Sequence, residues 1–140
     1  AYRLSRRGDA VVAFGEAPAA RGHAHATLPV CALPKSFGFH VSAPFDVVAS
    51  RGALKAGSAR NVALRKCLVA ATLALVDADD DLRASFFDFL SPDADDDGAD
   101  AFWAACRGEV VAGLRESRVA CVRCDDGQLE TVDGVLRWPP

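Results

Sequence analysis

Alternation of apolar and polar positions dominates the first third of the chain. Phe39, Val41 and Ala43 alternate with His40 and Ser42, the period of a half-buried strand. Strands are expected at Tyr2–Arg6 and Ala10–Phe14, around a hairpin turn at Arg7-Gly8-Asp9. Further strands are expected at Ala26–Leu33, Gly38–Ser42 and, more briefly, Phe45–Ala49. Ala17–His25, rich in Ala, Pro, Gly and His, reads as a loop.

After a connector at Gly52–Gly57 the period lengthens. Ser58 reads as the N-cap of a helix running to about Val76, with Leu64, Leu68, Ala71 and Leu75 on its buried face. Asp79–Leu90 predicts a short helix carrying Leu82, Phe86, Phe87 and Phe89–Leu90. Ala99–Ser117 predicts a third, with Phe102, Cys106, Val110 and Leu114 along one side. Arg118–Arg123, Gln128–Val132 and Val135–Trp138 read as closing strands about turns at Asp125-Asp126-Gly127 and Asp133-Gly134. The predicted class is α+β: antiparallel strands over 1–51, three central helices over 58–117 and a short β-hairpin region over 118–140.

Composition narrows this picture. The chain has 140 residues, the size of one domain, and 51% of them are hydrophobic, enough for a core and too many for a disordered chain. The net charge of −3 offers nothing to suggest a global nucleic-acid binder, and none is expected. The longest apolar run, Cys67–Val76, is about half of the roughly 18–20 residues a membrane span needs, so no membrane is expected. Five cysteines at unrelated spacings point to reduced thiols and a cytoplasmic, intracellular setting rather than a disulfide framework. The chain lacks methionine, enters a strand directly after Ala1 and closes on Trp138-Pro139-Pro140, which leads us to expect a piece of a longer protein.

Several patterns imitate chemical sites. Asp93, Asp95, Asp97 and Gly98 match the start of a calcium loop, but Ala104 stands where its closing bidentate Glu belongs, so an acidic solvated loop is expected. Cys121 and Cys124 supply half of a zinc site with no matching second pair, and read as ordinary strand-end cysteines. A small zinc domain built on them remains a third functional reading. His23 and His25 flank Ala24 in the expected loop and could pinch a metal, though a polar loop suffices to explain them; His40, among aromatics, reads as a core-edge residue. No Ser-His-Asp or Cys-His set for nucleophilic catalysis is evident.

The segment Leu33–Arg51 carries the sharper signal. Two short strands deliver Ser50-Arg51 to the rim of a sheet, and Asn61 and Leu64 begin the helix that follows. An arginine fixed at such an exit suits a phosphate, because its charge is permanent and its donors form a rigid fork. Leu33-Pro34, Phe37-Gly38-Phe39, Phe45-Asp46, Ser50-Arg51 and Asn61-Val62-Ala63-Leu64-Arg65 follow one another in an order that resembles the sacsin and NO VEIN family of histidine-kinase-like (GHKL) ATPases. The resemblance extends more loosely to Thr131-Val132-Asp133-Gly134 and the closing prolines. Gly52 and Ala53 stand where the family has an acidic pair, and Arg60 and Ala63 where it has tryptophans.

The resemblance implies a segment that follows an ATP-binding domain, as the middle domain does in the ninety-kilodalton heat-shock chaperones. It implies that Arg51 reaches the terminal phosphate of ATP, with Ser50 and Asn61 shaping its loop. ATP and magnesium would belong to the parent protein, and no cofactor is expected within this segment. The expected partners are the preceding ATP-binding domain and client or chaperone proteins. The alternative is a structural or protein-interaction module without nucleotide chemistry.

Overall fold

The computed structural model describes residues 2–91, 101–117, 122–123 and 128–131. Strands β1 (Arg3–Arg7) and β2 (Ala10–Phe14) form a hairpin whose two-residue turn places Gly8 at φ +56°. A left-handed position of this kind costs glycine nothing. Strands β3 (His23–Ala26) and β4 (Leu28–Ala32) form a second hairpin, and β5 (His40–Ser42) joins the two. The order across the sheet is β1-β2-β5-β3-β4. The β3–β5 pair is parallel, so the sheet is mixed and not wholly antiparallel as the sequence pattern led us to expect.

Three helices follow: α1 (Ala59–Ala78), α2 (Asp80–Phe89) and α3 (Ala101–Ser117), then two short paired strands, β6 (Val122–Arg123) and β7 (Leu129–Glu130). This is the α+β class. Asp79 both ends α1 and caps α2, where its carboxylate accepts the Leu82 N–H at 2.8 Å. Helix α1 packs against β1 and β2 and contacts both other helices.

The inner face of the sheet buries Ala10, Val12, Phe14, Ala24, Ala26 and Val41, the residues strand alternation assigns to one side. Phe14 is the centre of the core. Its ring stacks on Phe39 at 4.3 Å and meets Phe89 edge-on at 5.2 Å. Trp103 brings α3 into the same core, edge-on to Phe37 and Phe45 at 5.9 and 6.1 Å. The end of α2 is pinned by Gly38 N–H donating to the Phe89 carbonyl at 2.6 Å and by a bridge between Phe37 and Leu90.

Several local expectations change. His23–His25 is strand and not loop, because it pairs antiparallel with β4 along its length and Ala24 and His25 pair in parallel with β5. The strand expected over Ala26–Leu33 is broken at Thr27, whose φ of 72° reverses the chain between β3 and β4. Phe45–Ala49 is not a strand; only Val47 pairs, in an isolated bridge to Leu54. On α1 the buried face is Asn61, Leu64, Leu68, Ala71, Thr72 and Val76, with Leu75 at its half-buried edge. On α3 Trp103 is buried and Phe102 lies at the margin. The acidic loop at Asp93–Asp97, the pair Cys121 and Cys124 and the strand at Val135–Trp138 lie outside the described residues. No helix among the described residues is long and apolar enough to cross a membrane.

Candidate functional site

Residues Asp46 to Lys55 form a small closed hairpin held together by backbone bonds. Lys55 N–H donates to the Asp46 carbonyl at 2.9 Å, Val48 N–H to Ala53 at 3.0 Å and Arg51 N–H to Val48 at 2.8 Å. Ser50 and Arg51 occupy its exposed tip. The sequence places them at a strand exit on the sheet rim; the structure places them at the end of a projecting loop instead, because Val47 and Leu54 pair with each other and not with the sheet.

Helix α1 clamps the base of this loop. Asn61, buried to 2% exposure, accepts the Asp46 N–H on Oδ1 at 2.8 Å and donates Nδ2 to the Asp46 carbonyl at 2.9 Å. Its amide thus pairs with Asp46 as a neighbouring strand would. A longer contact runs from Nδ2 to the Lys55 carbonyl at 3.4 Å. Ser58, as the expected N-cap, accepts the Asn61 N–H at 3.1 Å and donates its hydroxyl to the Asp46 carboxylate at 2.6 Å. The Arg60 guanidinium stands 3.9 Å from the same carboxylate, too far and too exposed to add much. Asp46 is therefore the hub of the loop. Ser58 and Asn61, the side chains that bond it, lie 12 and 15 positions away, so no local sequence signal marked it as a hub.

Arg51 has φ +59°, a left-handed conformation that carries a steric cost for a residue with a Cβ. Its Nη2 donates to the Ala26 carbonyl at 3.2 Å. Gly52 and Ala53 provide no carboxylate, and a backbone carbonyl holds the guanidinium in its place. Ala26 directly precedes Thr27, so this bond joins the regions of the only two non-glycine residues with positive φ among those described. Ser50 is exposed, and no hydrogen bond links its hydroxyl to Arg51. Asn61 is brought to the loop base and Arg51 to its tip, so the two do not share a single pocket.

A groove of about 280 Å³ opens beside the clamp, between the start of α1 and the start of α3. Lys55, Gly57, Ser58, Asn61, Arg65 and Phe102 are among its lining residues, while Ser50 and Arg51 are not. On its α1 wall, Arg65 Nε lies 2.7 Å from Glu109 Oε2 and its guanidinium sits 5.2 Å above the Phe102 ring. This contact is an ion pair without hydrogen-bond alignment. Cys106, one turn before Val110 on α3, has its thiol pushed up to about 12, first by burial and then by Glu109, with Arg65 acting in the opposite sense. Such a thiol is a packing group and not a nucleophile.

On the other side of the sheet the three histidines come together. The His23 and His40 rings stack at 5.9 Å and His25 meets His40 edge-on at 6.3 Å. Among the described residues no group of three or more His, Cys, Asp or Glu is arranged to hold a metal ion. No family model, curated protein or solved structure matches the chain.

Proposed function

We propose that this chain is an accessory segment of a sacsin-like, heat-shock-chaperone-like ATPase, which follows the nucleotide-binding domain and offers Arg51 to the terminal phosphate of ATP. The observation that carries this reading is the conformation of Arg51 itself. A non-glycine residue is kept left-handed at the tip of a loop whose base is fixed by a buried asparagine. Backbone strain of this kind costs about 1–3 kcal/mol and is maintained where the surrounding structure over-determines it. The side chain spends one donor on a carbonyl, which orients the fork without neutralising it. A positive charge so placed can stabilise charge developing on a transferred phosphoryl group. ATP and magnesium would be held by the preceding domain.

Arg51→Ala and Arg51→Lys in the full-length parent test the reading. Both are expected to lower ATP turnover, the alanine variant by roughly a hundredfold, the scale for losing one donor to a transition-state charge. Unchanged turnover in a folded Arg51→Ala protein overturns it.

A second reading, a structural or protein-interaction module, draws on the outer face and edge of the sheet. Tyr2 and Leu4 are each more than 60% exposed at the β1 edge, an apolar surface suited to a protein partner. Under this reading the Arg51 variants leave turnover intact and substitutions at Tyr2 and Leu4 weaken association.

A further inference from the structure

Strand β5 is three residues long and alone connects the β1–β2 hairpin to the β3–β4 hairpin within the sheet. It pairs with β3 through only two residue pairs, Ala24 with Val41 and His25 with Ser42. At the start of that pairing the His23 N–H is received by a side chain: it donates to His40 Nδ1 at 3.1 Å. In the neutral ring the lone pair on Nδ1 takes this bond, which leaves the ring proton on Nε2. A doubly protonated ring has no acceptor and would turn an N–H against the His23 N–H.

We propose that His40, with His23 and His25 around it, is an acid-sensitive latch that closes the seam between β3 and β5 when neutral and opens it when protonated. The groups facing His40 are the His23 and His25 rings from β3 and the Tyr2 ring ahead of β1, at 6.0 Å. Across the same face by register lie Leu4 and Arg6 on β1, Ala13 and Val11 on β2, and Ala32 and Pro29 on β4, so the one charge the register adds is positive. Nothing in this set compensates an imidazolium. Accordingly burial, and then the neighbouring His23 and His25, hold His40 below its ordinary value of 6.5. A metal occupant is disfavoured by the same bond, because the Nδ1 lone pair is spent and Nε2 carries the proton.

Because His40 binds its proton less readily folded than unfolded, the latch is fully stabilising above pH 6.5 and weakens as pH falls from there through the lowered value. Amide hydrogen exchange on the whole chain, expressed as protection at pH 8 and pH 5, tests this. The His23 N–H and the Ala43 N–H, which donates to His25 at 3.1 Å, should lose about tenfold in protection relative to Leu68 and Ala71 inside α1. In His40→Asn the amide oxygen replaces Nδ1 as acceptor without titrating, and the loss should disappear. Equal protection at both pH values, or the same loss in His40→Asn, overturns the proposal. Should that variant fail to fold, the His40 ring nitrogen shifts in the unmodified chain decide. Their titration midpoint must coincide with that of the protection loss, and a separate midpoint overturns the proposal.

Discussion

The Asn61 side chain occupies both the N–H and the carbonyl of Asp46, at 2.8 and 2.9 Å, so one buried amide takes the place of an absent neighbouring strand. The loop that displays Arg51 thus depends on a residue ten positions further along, in the first turn of α1. Removing this amide leaves the Asp46 N–H without its partner, while the Asp46 carbonyl keeps the Lys55 N–H. Replacing only one contact at the rim would cost far less.

Asn61→Ala is therefore expected to destabilise the fold by about 2 kcal/mol, because the Asp46 N–H loses its partner. Ser58→Ala, which removes a cap and one bond to Asp46, is expected to cost about 1 kcal/mol. Urea denaturation of the two variants checks the ranking.

Arg51→Gly separates the proposed role from stability. Glycine relieves the left-handed cost of roughly 1–2 kcal/mol and loses one bond to Ala26, so the fold should change by no more than about 1 kcal/mol. Phosphate recognition should be lost along with the guanidinium. Denaturation midpoints paired with ATP turnover of the proposed parent ATPase give both readouts.

Two glycines should respond in opposite directions. A Cβ on buried Gly22 would overlap the Phe39 carbonyl oxygen and fall 3.0 Å from that of Phe37. Gly22→Ala must push these backbones apart and is expected to cost about 3 kcal/mol. A Cβ on exposed Gly108, within α3, meets nothing within 4 Å, and Gly108→Ala should stabilise by about 0.5–1 kcal/mol. Thermal melts of the pair distinguish close backbone approach from simple helix propensity.

Cys106 should resist alkylation in the native protein. With the thiol pushed up to about 12, almost no thiolate is present at pH 8, and burial denies access as well. Iodoacetamide labelling followed by peptide mass analysis should modify half-buried Cys31 and Cys67 first, with Cys106 labelled only at the rate of opening.

The sequence by itself determined the elements whose signals are local. Strand alternation placed Phe39, Val41 and Ala43 inside, Ser58 announced the start of α1, and the spacing of Leu64, Leu68 and Ala71 marked its inner face. In each case one period or one cap carries the information. Tertiary structure alone decided the rest. His23–Ala26 became a strand by pairing with β4 across the turn at Thr27 and with β5 in parallel, and β5 reaches His23 from 17 residues away, beyond any window around the loop. Phe45–Ala49, strand-like in pattern, found no sheet edge and folded back on Leu54. Arg51 and Asn61 were legible as candidates, but their separation into the tip and base of one loop was not, nor was Asp46 as its hub. Those relationships arise from hydrogen bonds formed 12 to 25 residues apart, which exist only after the chain has brought α1, β3 and the loop together.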